Sequence, residues 1–207
     1  MKYYPAFLNL KNQKTVVIGG GKVAERKTRA LLKAGASVKI ISPSLTHGLE
    51  VLSRSGKLTH IKRRYKRTDI KAAFLVIAAT SSPGTNSAIA EDAEFLVNVV
   101  DAPSEGNAIA PSIVRRGRLS IAVATEGASP AISKAIRKEI EQLYGRDFAL
   151  YLGFAEAIRK KAMNKITDFR KRERFLKSLA SEKIFRDLRN KGFSAVSKTV
   201  SRSLDEL

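Results

Sequence analysis

The sequence predicts an α/β protein in which a Rossmann-like parallel sheet is followed by a small α+β segment and an all-helical C-terminal region. At Thr15 to Arg29 a short apolar run leads through three glycines into helical spacing, which is typical of the opening of a βαβ unit. Apolar runs of strand length then alternate with amphipathic segments as far as Val100, as expected for a parallel sheet. From Gly145 onward only helical periodicity remains.

The glycine turn predicts a dinucleotide site. Gly19, Gly21 and Ala24 occupy the positions of the pattern G-x-G-x-x-G/A, in which the first glycine makes the turn and the second lets the backbone approach a pyrophosphate. The small third residue lets the helix pack on the strand. Free N–H groups at the start of that helix would face the phosphate. The alternative is a tight turn that binds no ligand.

The chain after this turn predicts four further strands. The first helix is expected to end at Gly35. The apolar runs predict strands at 38–41, 58–61, 74–79 and 95–100, with helices at 45–52 and 85–91. An NAD-binding unit usually carries an Asp or Glu at the end of its second strand, but Ser42 and Ser44 stand there. The residues therefore leave the choice between NAD and NADP open.

Polar side chains follow the fourth and fifth strands. Thr80 opens a hydroxyl-rich turn, and ligands bind outside the carboxyl ends of parallel strands, so these hydroxyls are candidate cofactor contacts. Capping of the next helix is an equally weighted alternative. The fifth strand delivers Asn98 and Asp101 to the same edge. Taken alone, Asp101 is slightly better explained as a turn carboxylate before Pro103.

The pattern changes in the second half of the chain. A strand is predicted at 119–124, and Ser129 before Pro130 predicts a helix N-cap with proline at the first helical position. That helix should reach about Tyr144. We therefore expect a dinucleotide-binding Rossmann domain at 1–112, a small α+β segment at 113–145 and a helical domain at 146–207.

Composition excludes several classes of site. The chain of 207 residues has no cysteine, which excludes disulfides, thiolate metal sites and cysteine nucleophiles. His47 and His60 are the only histidines, so no tight transition-metal site is expected. No stretch approaches the roughly 18 apolar residues of a membrane helix, and the N-terminal apolar run is too short for a signal peptide. A cytoplasmic protein is predicted.

The charge predicts an anionic partner. The 39 basic and 19 acidic residues give a net charge of +20, which favours nucleic acid, an anionic membrane surface or a small molecule with many carboxylates or phosphates. The excess is spread along the chain, which argues mildly against a nucleic-acid-binding arm.

Several motifs together resemble one family. They are G-G-G-K-V-A-E-R-K at 19–27, A-A-T at 78–80, N-V-V-D-A-P at 98–103, P-S-I-V-R-R-G-R-L at 111–119 and A-V-A-T-E-G-A-S-P at 122–130. In order and spacing, from about Tyr4 to Leu143, the chain resembles the precorrin-2 dehydrogenases, the bifunctional dehydrogenase and ferrochelatase domain of siroheme synthases. The family's methyltransferase module is absent, so we expect the free-standing form.

The resemblance implies an activity and its residues. It implies NAD-dependent oxidation of precorrin-2, a carboxylate-fringed tetrapyrrole, to sirohydrochlorin, with Asp101 as the proton acceptor. The same carboxylate could accept pyrrole protons if Fe²⁺ is inserted. It also implies a homodimer that pairs near Arg115 to Leu143, so that 113–145 would be a dimerisation segment. The predicted cofactor contacts are Gly19, Gly20, Gly21, Lys22, Val23, Pro43, Ser44 and Thr80, and the predicted substrate contacts are Asn98, Thr125 and Ser129.

Two functions of other classes remain open at this point. One is a nucleotide-sensing regulatory module whose basic helical tail binds nucleic acid. The tail lacks a helix-turn-helix signature and has few aromatic residues to stack on bases, so nucleic acid is the less favoured partner. The other is a ligand-binding or dimerisation protein without redox activity.

Overall fold

The computed structural model of the chain describes residues 3–126 and 128–207. Gly127, between the strand predicted at 119–124 and the helix predicted to begin at Pro130, lies outside these residues. The chain divides into two compact units, Met1–Ala110 and Pro111–Leu207. This division lies two residues from the predicted boundary at 112, and the predicted dimerisation segment and helical domain both belong to the second unit.

The first unit is a five-stranded parallel sheet with helices, as the sequence predicts. Its elements are β1 Lys14–Ile18, α1 Lys22–Lys33, β2 Ser37–Ile41, α2 His47–Arg54, β3 Thr59–Ile61, β4 Leu75–Ala78, α3 Pro83–Asp92 and β5 Leu96–Val99, with short 3₁₀ turns at Arg67–Ile70 and Pro103–Glu105. The strand order is β3-β2-β1-β4-β5. The order therefore reverses between β1 and β4, which is the switch point where Rossmann folds bind ligands.

Alternating side chains of the strands form two cores, one on each face of the sheet. Val17 of β1 packs on the same side as Leu31 of α1 and Leu49 of α2. Val16 of β1 packs on the other side with Ile89 of α3. Because both faces are covered, the central strands β1 and β4 are apolar along most of their length, which made them predictable from the sequence.

Two helices begin at different residues from those predicted. The helix expected at 45–52 begins at His47 because Thr46 has an extended backbone and its hydroxyl caps the helix, accepting from the N–H of Leu49 at 3.4 Å. The helix expected at 85–91 begins two residues earlier, at Pro83, after Ser82 caps it. The first helix ends as predicted, with Gly35 at φ +79°.

The second unit contains a hairpin and four helices among its described residues. They are β6 Ser112–Arg116, β7 Leu119–Val123, α4 Pro130–Leu143, α5 Arg146–Lys165, α6 Phe169–Ser178 and α7 Glu182–Asp205. The strands pair antiparallel through a tight turn at Gly117, which has φ +59°. α4 packs against both strands. The N-cap predicted at Ser129 is confirmed, since its hydroxyl accepts from the N–H of Ile132 at 3.3 Å.

The strand β6 is absent from the sequence prediction. Only Val114 of its five residues is buried, and two arginines end it, so it lacks the apolar alternation by which strands are recognised. The strand predicted at 119–124 is found as β7.

The helical part of the second unit has its own core. Phe148, Ile158, Phe175 and Leu188 are buried within it. The buried Tyr151 hydroxyl donates to the carbonyl of Leu179 at 2.7 Å. These contacts connect α5 with α7 and with the end of α6, so the helical periodicity in the sequence corresponds to one packed cluster.

The helix α7 is broken at Gly192. This residue has φ +75° and ψ 174°, a combination that is essentially restricted to glycine. The N–H of Phe193, which starts the second half of α7, donates to the Asp147 carboxylate at 3.2 Å. The break is therefore capped from α5.

We expect Gly192→Ala to lower the free energy of unfolding by about 1 to 3 kcal/mol, because alanine must adopt this strained conformation. A Cβ at Gly192 would meet Asp147 only at ordinary contact distance, so strain rather than collision is the cause. Gly153→Ala in α5 is the matched control. Its Cβ meets nothing within 4 Å, and alanine in a helix should raise stability by up to about 1 kcal/mol. Urea unfolding of both variants tests this, and equal stabilities would contradict it.

Candidate functional site

The candidate site is a cleft at the carboxyl edge of the five-stranded sheet. It has a volume of about 1290 Å³ and lies over the switch point between β1 and β4. This volume exceeds that of pockets for drug-sized ligands, roughly 300 to 1,000 Å³. It is large enough for an extended dinucleotide.

The glycine turn forms the floor of the cleft. Its three glycines differ in whether a side chain would fit at their positions. Gly19 has φ +121°, and a Cβ there would overlap the carbonyl of Ala79. A Cβ on Gly20 would overlap the carbonyl of Ser44. These two glycines are required by the packing of the protein itself. A Cβ on Gly21 would meet nothing within 4 Å, so the protein leaves this space open.

The helix α1 points its N-terminus at this open space. Gly21 is the N-cap, with φ −83° and ψ −176°, and no side chain caps the helix. The predicted contacts Lys22 and Val23 also line the cleft. Uncapped N–H groups at a helix N-terminus bind anions, so this end of α1 fits a pyrophosphate.

The second wall of the cleft comes from the segment after β2. Pro43 and Ser44 line it as predicted. Ser42 is buried, and its hydroxyl donates to the carbonyl of Ser44 at 2.7 Å. Nε2 of His60 lies 2.9 Å from the Ser42 carbonyl oxygen. The Ser42 hydroxyl therefore shapes this turn instead of offering itself to a ribose.

A contact between Thr46 and Glu25 fixes this wall to α1. The backbone N–H of Thr46 donates to the carbonyl of Gly20 at 2.9 Å, and its hydroxyl donates to the Glu25 carboxylate at 2.5 Å. Arg29 also donates to Glu25. Together these hydrogen bonds, that of Thr46 first, lower the pKa of Glu25 below its usual value. This pair was not predicted from the sequence.

The basic segment after β3 also reaches the cleft. Arg63, Arg64 and Tyr65 line it. The guanidinium of Arg63 makes two hydrogen bonds to Asp69, at 2.5 and 2.7 Å, which lower the pKa of that carboxyl. The Tyr65 hydroxyl donates to Asp92 at 2.9 Å, and burial together with this bond raises the pKa of Tyr65. Arg63 and Tyr65 are thus held in place, whereas Arg64 is exposed.

The turn after β4 forms the third wall. Thr80 lines the cleft as predicted, with Ser81 and Ser82. The Thr80 hydroxyl is engaged within the turn, at 2.8 Å from Oδ1 of Asn86 and 3.1 Å from the Ser82 carbonyl oxygen. Ser82 also caps α3, so the capping alternative considered for this cluster is correct for that residue. Asn86 was not among the residues predicted from the sequence.

Asp101 lies at the edge of the same cleft, just after β5. Its side chain is exposed and makes no hydrogen bond or ion pair with the residues that the structure describes. The expected alternative, a carboxylate that caps the loop before Pro103, would require such a hydrogen bond. The carboxylate is free to act on a ligand.

The three predicted substrate contacts occupy different surroundings. Asn98 is buried, its amide donates to the carbonyl of Ala108 at 2.9 Å, and it is not among the residues lining the cleft. Its Oδ1 has no partner among the described residues. Thr125 and Ser129 belong to the second unit and bond to each other, with the Thr125 hydroxyl 3.2 Å from the Ser129 carbonyl oxygen. Substrate contact by these residues stays a prediction.

Within 3–126 and 128–207 no three His, Cys, Asp or Glu side chains are grouped so that they could hold a metal ion. In the same residues, no helix is both long and apolar enough to cross a membrane.

Comparison with known proteins gives consistent matches. A family model described as "Putative NAD(P)-binding" matches residues 6–112, and one described as "Sirohaem biosynthesis protein central" matches residues 116–143. Siroheme synthase of Nitrosococcus oceani is 38% identical over 89% of this chain and 41% of its own length. That of Actinobacillus succinogenes is 33% identical over 100% of this chain and 44% of its own length. The chain thus spans less than half of these relatives.

A solved structure has the same fold. The structure of "SirC, precorrin-2 dehydrogenase" matches 99% of this chain and 100% of its own length, with a TM-score of 0.81 and 22% sequence identity. At this level of identity, the match supports the Rossmann-like fold with its helical region.

Proposed function

Because the chain belongs to the precorrin-2 dehydrogenase family, we propose that it oxidises precorrin-2 to sirohydrochlorin with NAD as the hydride acceptor. One observation carries the proposal. The cleft joins an open, uncapped helix N-terminus at Gly21 with a free carboxylate at Asp101. The first suits a dinucleotide phosphate and the second suits a proton acceptor. We place this reaction in the cytoplasm.

The residues of the cleft fit a nicotinamide dinucleotide. Gly19 and Gly20 let the turn pack closely, and the N–H groups at Gly21, Lys22 and Val23 would hold the pyrophosphate. Pro43, Ser44 and Thr80 would border the two nucleoside halves. When bound, the dinucleotide supplies a hydride acceptor. In NAD-binding proteins a carboxylate after the second strand binds the ribose hydroxyls. No carboxylate stands directly after β2 here, so both NAD and NADP should be assayed.

Asp101 would remove the proton that must leave the substrate together with the hydride. A carboxylate is ionised at neutral pH, and as a general base it needs the correct position. Its position at the end of β5 places it on the sheet edge that also carries the glycine turn.

Iron insertion into sirohydrochlorin is the second part of the proposal. Here Fe²⁺ is a substrate, and the pyrrole N–H protons must be accepted as it enters the macrocycle. Asp101 is exposed and has no competing partner among the described residues, so it can serve both reactions.

The test is anaerobic incubation of the protein with precorrin-2 and either NAD or NADP. The expected result is sirohydrochlorin absorbance with one dinucleotide, followed by its loss when Fe²⁺ is added. Dinucleotide binding without turnover would overturn the enzyme assignment. Turnover without a response to Fe²⁺ would overturn iron insertion alone.

The basic surface gives a second prediction, which separates this function from the regulatory alternative. With a net charge of +20, the protein should attract a polycarboxylate more strongly than a dinucleotide. Raising salt from low to physiological levels should weaken tetrapyrrole binding more than NAD binding, because exposed charges are screened beyond roughly 8 to 10 Å. Equal salt dependence, or tight salt-sensitive binding to random duplex DNA, would favour the regulatory module.

We also propose a homodimer that pairs through α4. One side of α4 packs on β6 and β7, but Ile132, Ile136 and Leu143 are exposed by 56%, 37% and 49%. Their spacing of four and seven residues places them on one helix face. Such an exposed apolar stripe is typical of a protein interface.

We expect Ile136→Glu to convert the dimer into a monomer, because a charge would be buried without a partner in the paired state. The measurement is the molar mass from light scattering over a range of protein concentrations. Lys138→Glu, on the other side of α4 and exposed, is the control and should stay dimeric. A dimer that persists in Ile136→Glu would place the interface elsewhere.

A further inference from the structure

We propose that Asn86 is a positioning residue for dinucleotide binding. It acts by fixing the backbone of the turn at Thr80. The inference rests on the proposed function of the cleft. It concerns a residue of α3 that is 3% exposed and does not itself line the cleft.

The side chain of Asn86 holds Thr80 through three hydrogen bonds. Its Oδ1 accepts from the backbone N–H of Thr80 at 3.2 Å and lies 2.8 Å from the Thr80 hydroxyl. Its Nδ2 donates to the Thr80 carbonyl at 3.2 Å. Both backbone groups of one residue are therefore satisfied by one side chain.

Only an amide suits this arrangement among side chains of this size. Asparagine combines a carbonyl acceptor with an N–H donor in one planar group. Aspartate would place an acceptor against the Thr80 carbonyl, and leucine would leave both backbone groups of Thr80 without partners. A buried polar group without a partner is costly, so either change should loosen the turn or make it adopt another conformation.

The turn that Asn86 fixes is packed directly against the glycine turn. The carbonyl of Ala79 fills the space next to Gly19 in which a Cβ would lie. The N–H of Ala79 donates to the carbonyl of Ile18 at 2.9 Å. A change at Thr80 is therefore transmitted through one residue to the floor of the cleft, where the dinucleotide phosphates would bind.

The turn also presents a backbone donor. Ser81 lines the cleft, and its N–H has no partner among the described residues. The Thr80 hydroxyl is engaged with Asn86 and Ser82, which leaves the backbone N–H and the hydroxyl of Ser81 to a ligand. Asn86 determines where that backbone lies.

The experiment measures NAD and NADP affinity by calorimetry, and KM and kcat with precorrin-2, for Asn86→Leu and Asn86→Ala. Leucine has a similar size and adds no charge, and alanine is the second variant should leucine fail to fold. We expect the dinucleotide to bind about ten- to hundredfold more weakly, because a buried polar group left without its partner costs about that factor in an equilibrium constant. At saturating dinucleotide, kcat should stay within about threefold of wild type, because Asn86 touches no reacting atom.

Ile89→Val is the matched control. Ile89 is fully buried in α3, one turn from Asn86, and contacts the core on the far side of the sheet from α1. The Ile89→Val substitution should lower Tm without weakening dinucleotide binding. Unchanged affinity in both Asn86 variants, or the same loss of affinity in Ile89→Val, would overturn the inference. If the wild-type protein itself binds neither NAD nor NADP, the proposed function of the cleft is wrong, whatever the variants show.

Discussion

Asp101→Asn is expected to reduce sirohydrochlorin formation by about 10² to 10⁴, the usual loss when a general base is removed. Any iron insertion should be lost with it. Folding and dinucleotide affinity should be unchanged, since asparagine has nearly the same shape as aspartate. The amide cannot accept a proton at neutral pH, so only the chemical step is affected.

The structure indicates that this substitution should change the chemistry without changing the stability of the fold. The Asp101 side chain is exposed and has no hydrogen bond or ion pair with the described residues, so the change removes no contact that stabilises the fold. If Asp101 were merely a turn carboxylate, the rate would change little. The measurement is the rate under saturating NAD, together with melting curves with and without NAD.

Glu105→Gln is the matched control for this prediction. It makes the same change from carboxylate to amide four residues later in the chain, where the side chain accepts from the Ser87 hydroxyl at 2.7 Å. The rate should be preserved in this variant. If Asp101→Asn kept more than about a tenth of the wild-type rate, Asp101 could not be the base, and the proton would have to leave by another route.

The strands and the glycine turn were predictable because their causes are local. Strands buried on both faces are apolar along their whole length, as β4 is with all four residues buried. The turn at Gly19 requires a positive φ, and glycine supplies it. By contrast, β6 has one buried residue in five, and its pairing with β7 leaves no clear trace in the sequence.

The supporting residues of the site were not predictable, because their partners come from other elements. Thr46 and Glu25 are 21 residues apart and meet only when α2 begins beside α1. Asn86 could be expected on α3, but the turn it holds is defined by the end of β4. Asn98 shows the converse. The sequence placed it on the correct strand, but its burial and its bond to Ala108 depend on how the following loop folds back.

Gly21→Asp is expected to abolish dinucleotide binding while leaving the melting temperature unchanged or slightly higher. Gly21 is the N-cap of α1 with φ −83°, a conformation open to any residue, and a Cβ there would meet nothing within 4 Å. Aspartate is among the best N-cap residues, since its carboxylate accepts from the free N–H groups and interacts favourably with the helix dipole. Those are the N–H groups that the pyrophosphate would use.

Substitutions at the two other glycines of the turn, unlike Gly21→Asp, should destabilise the fold. Alanine at Gly19 or Gly20 would overlap the carbonyls of Ala79 and Ser44, so Gly19→Ala and Gly20→Ala should lower Tm whether or not a ligand is present. A loss of binding in those variants therefore says little about the ligand. At Gly21, binding and stability are separated, because the protein itself has no need of glycine there.

Gly145→Asp is the matched control for Gly21→Asp. Gly145 is the N-cap of α5 with φ −77° and ψ −165°, it also has no side-chain cap, and its Cβ likewise meets nothing within 4 Å. The same charge is thus added at the same kind of helix terminus, but outside the cleft. Calorimetry with NAD and NADP should show loss of binding for Gly21→Asp only. Wild-type affinity in a folded Gly21→Asp protein would mean that no phosphate lies at the start of α1, and the glycine turn would then be a structural turn without a ligand.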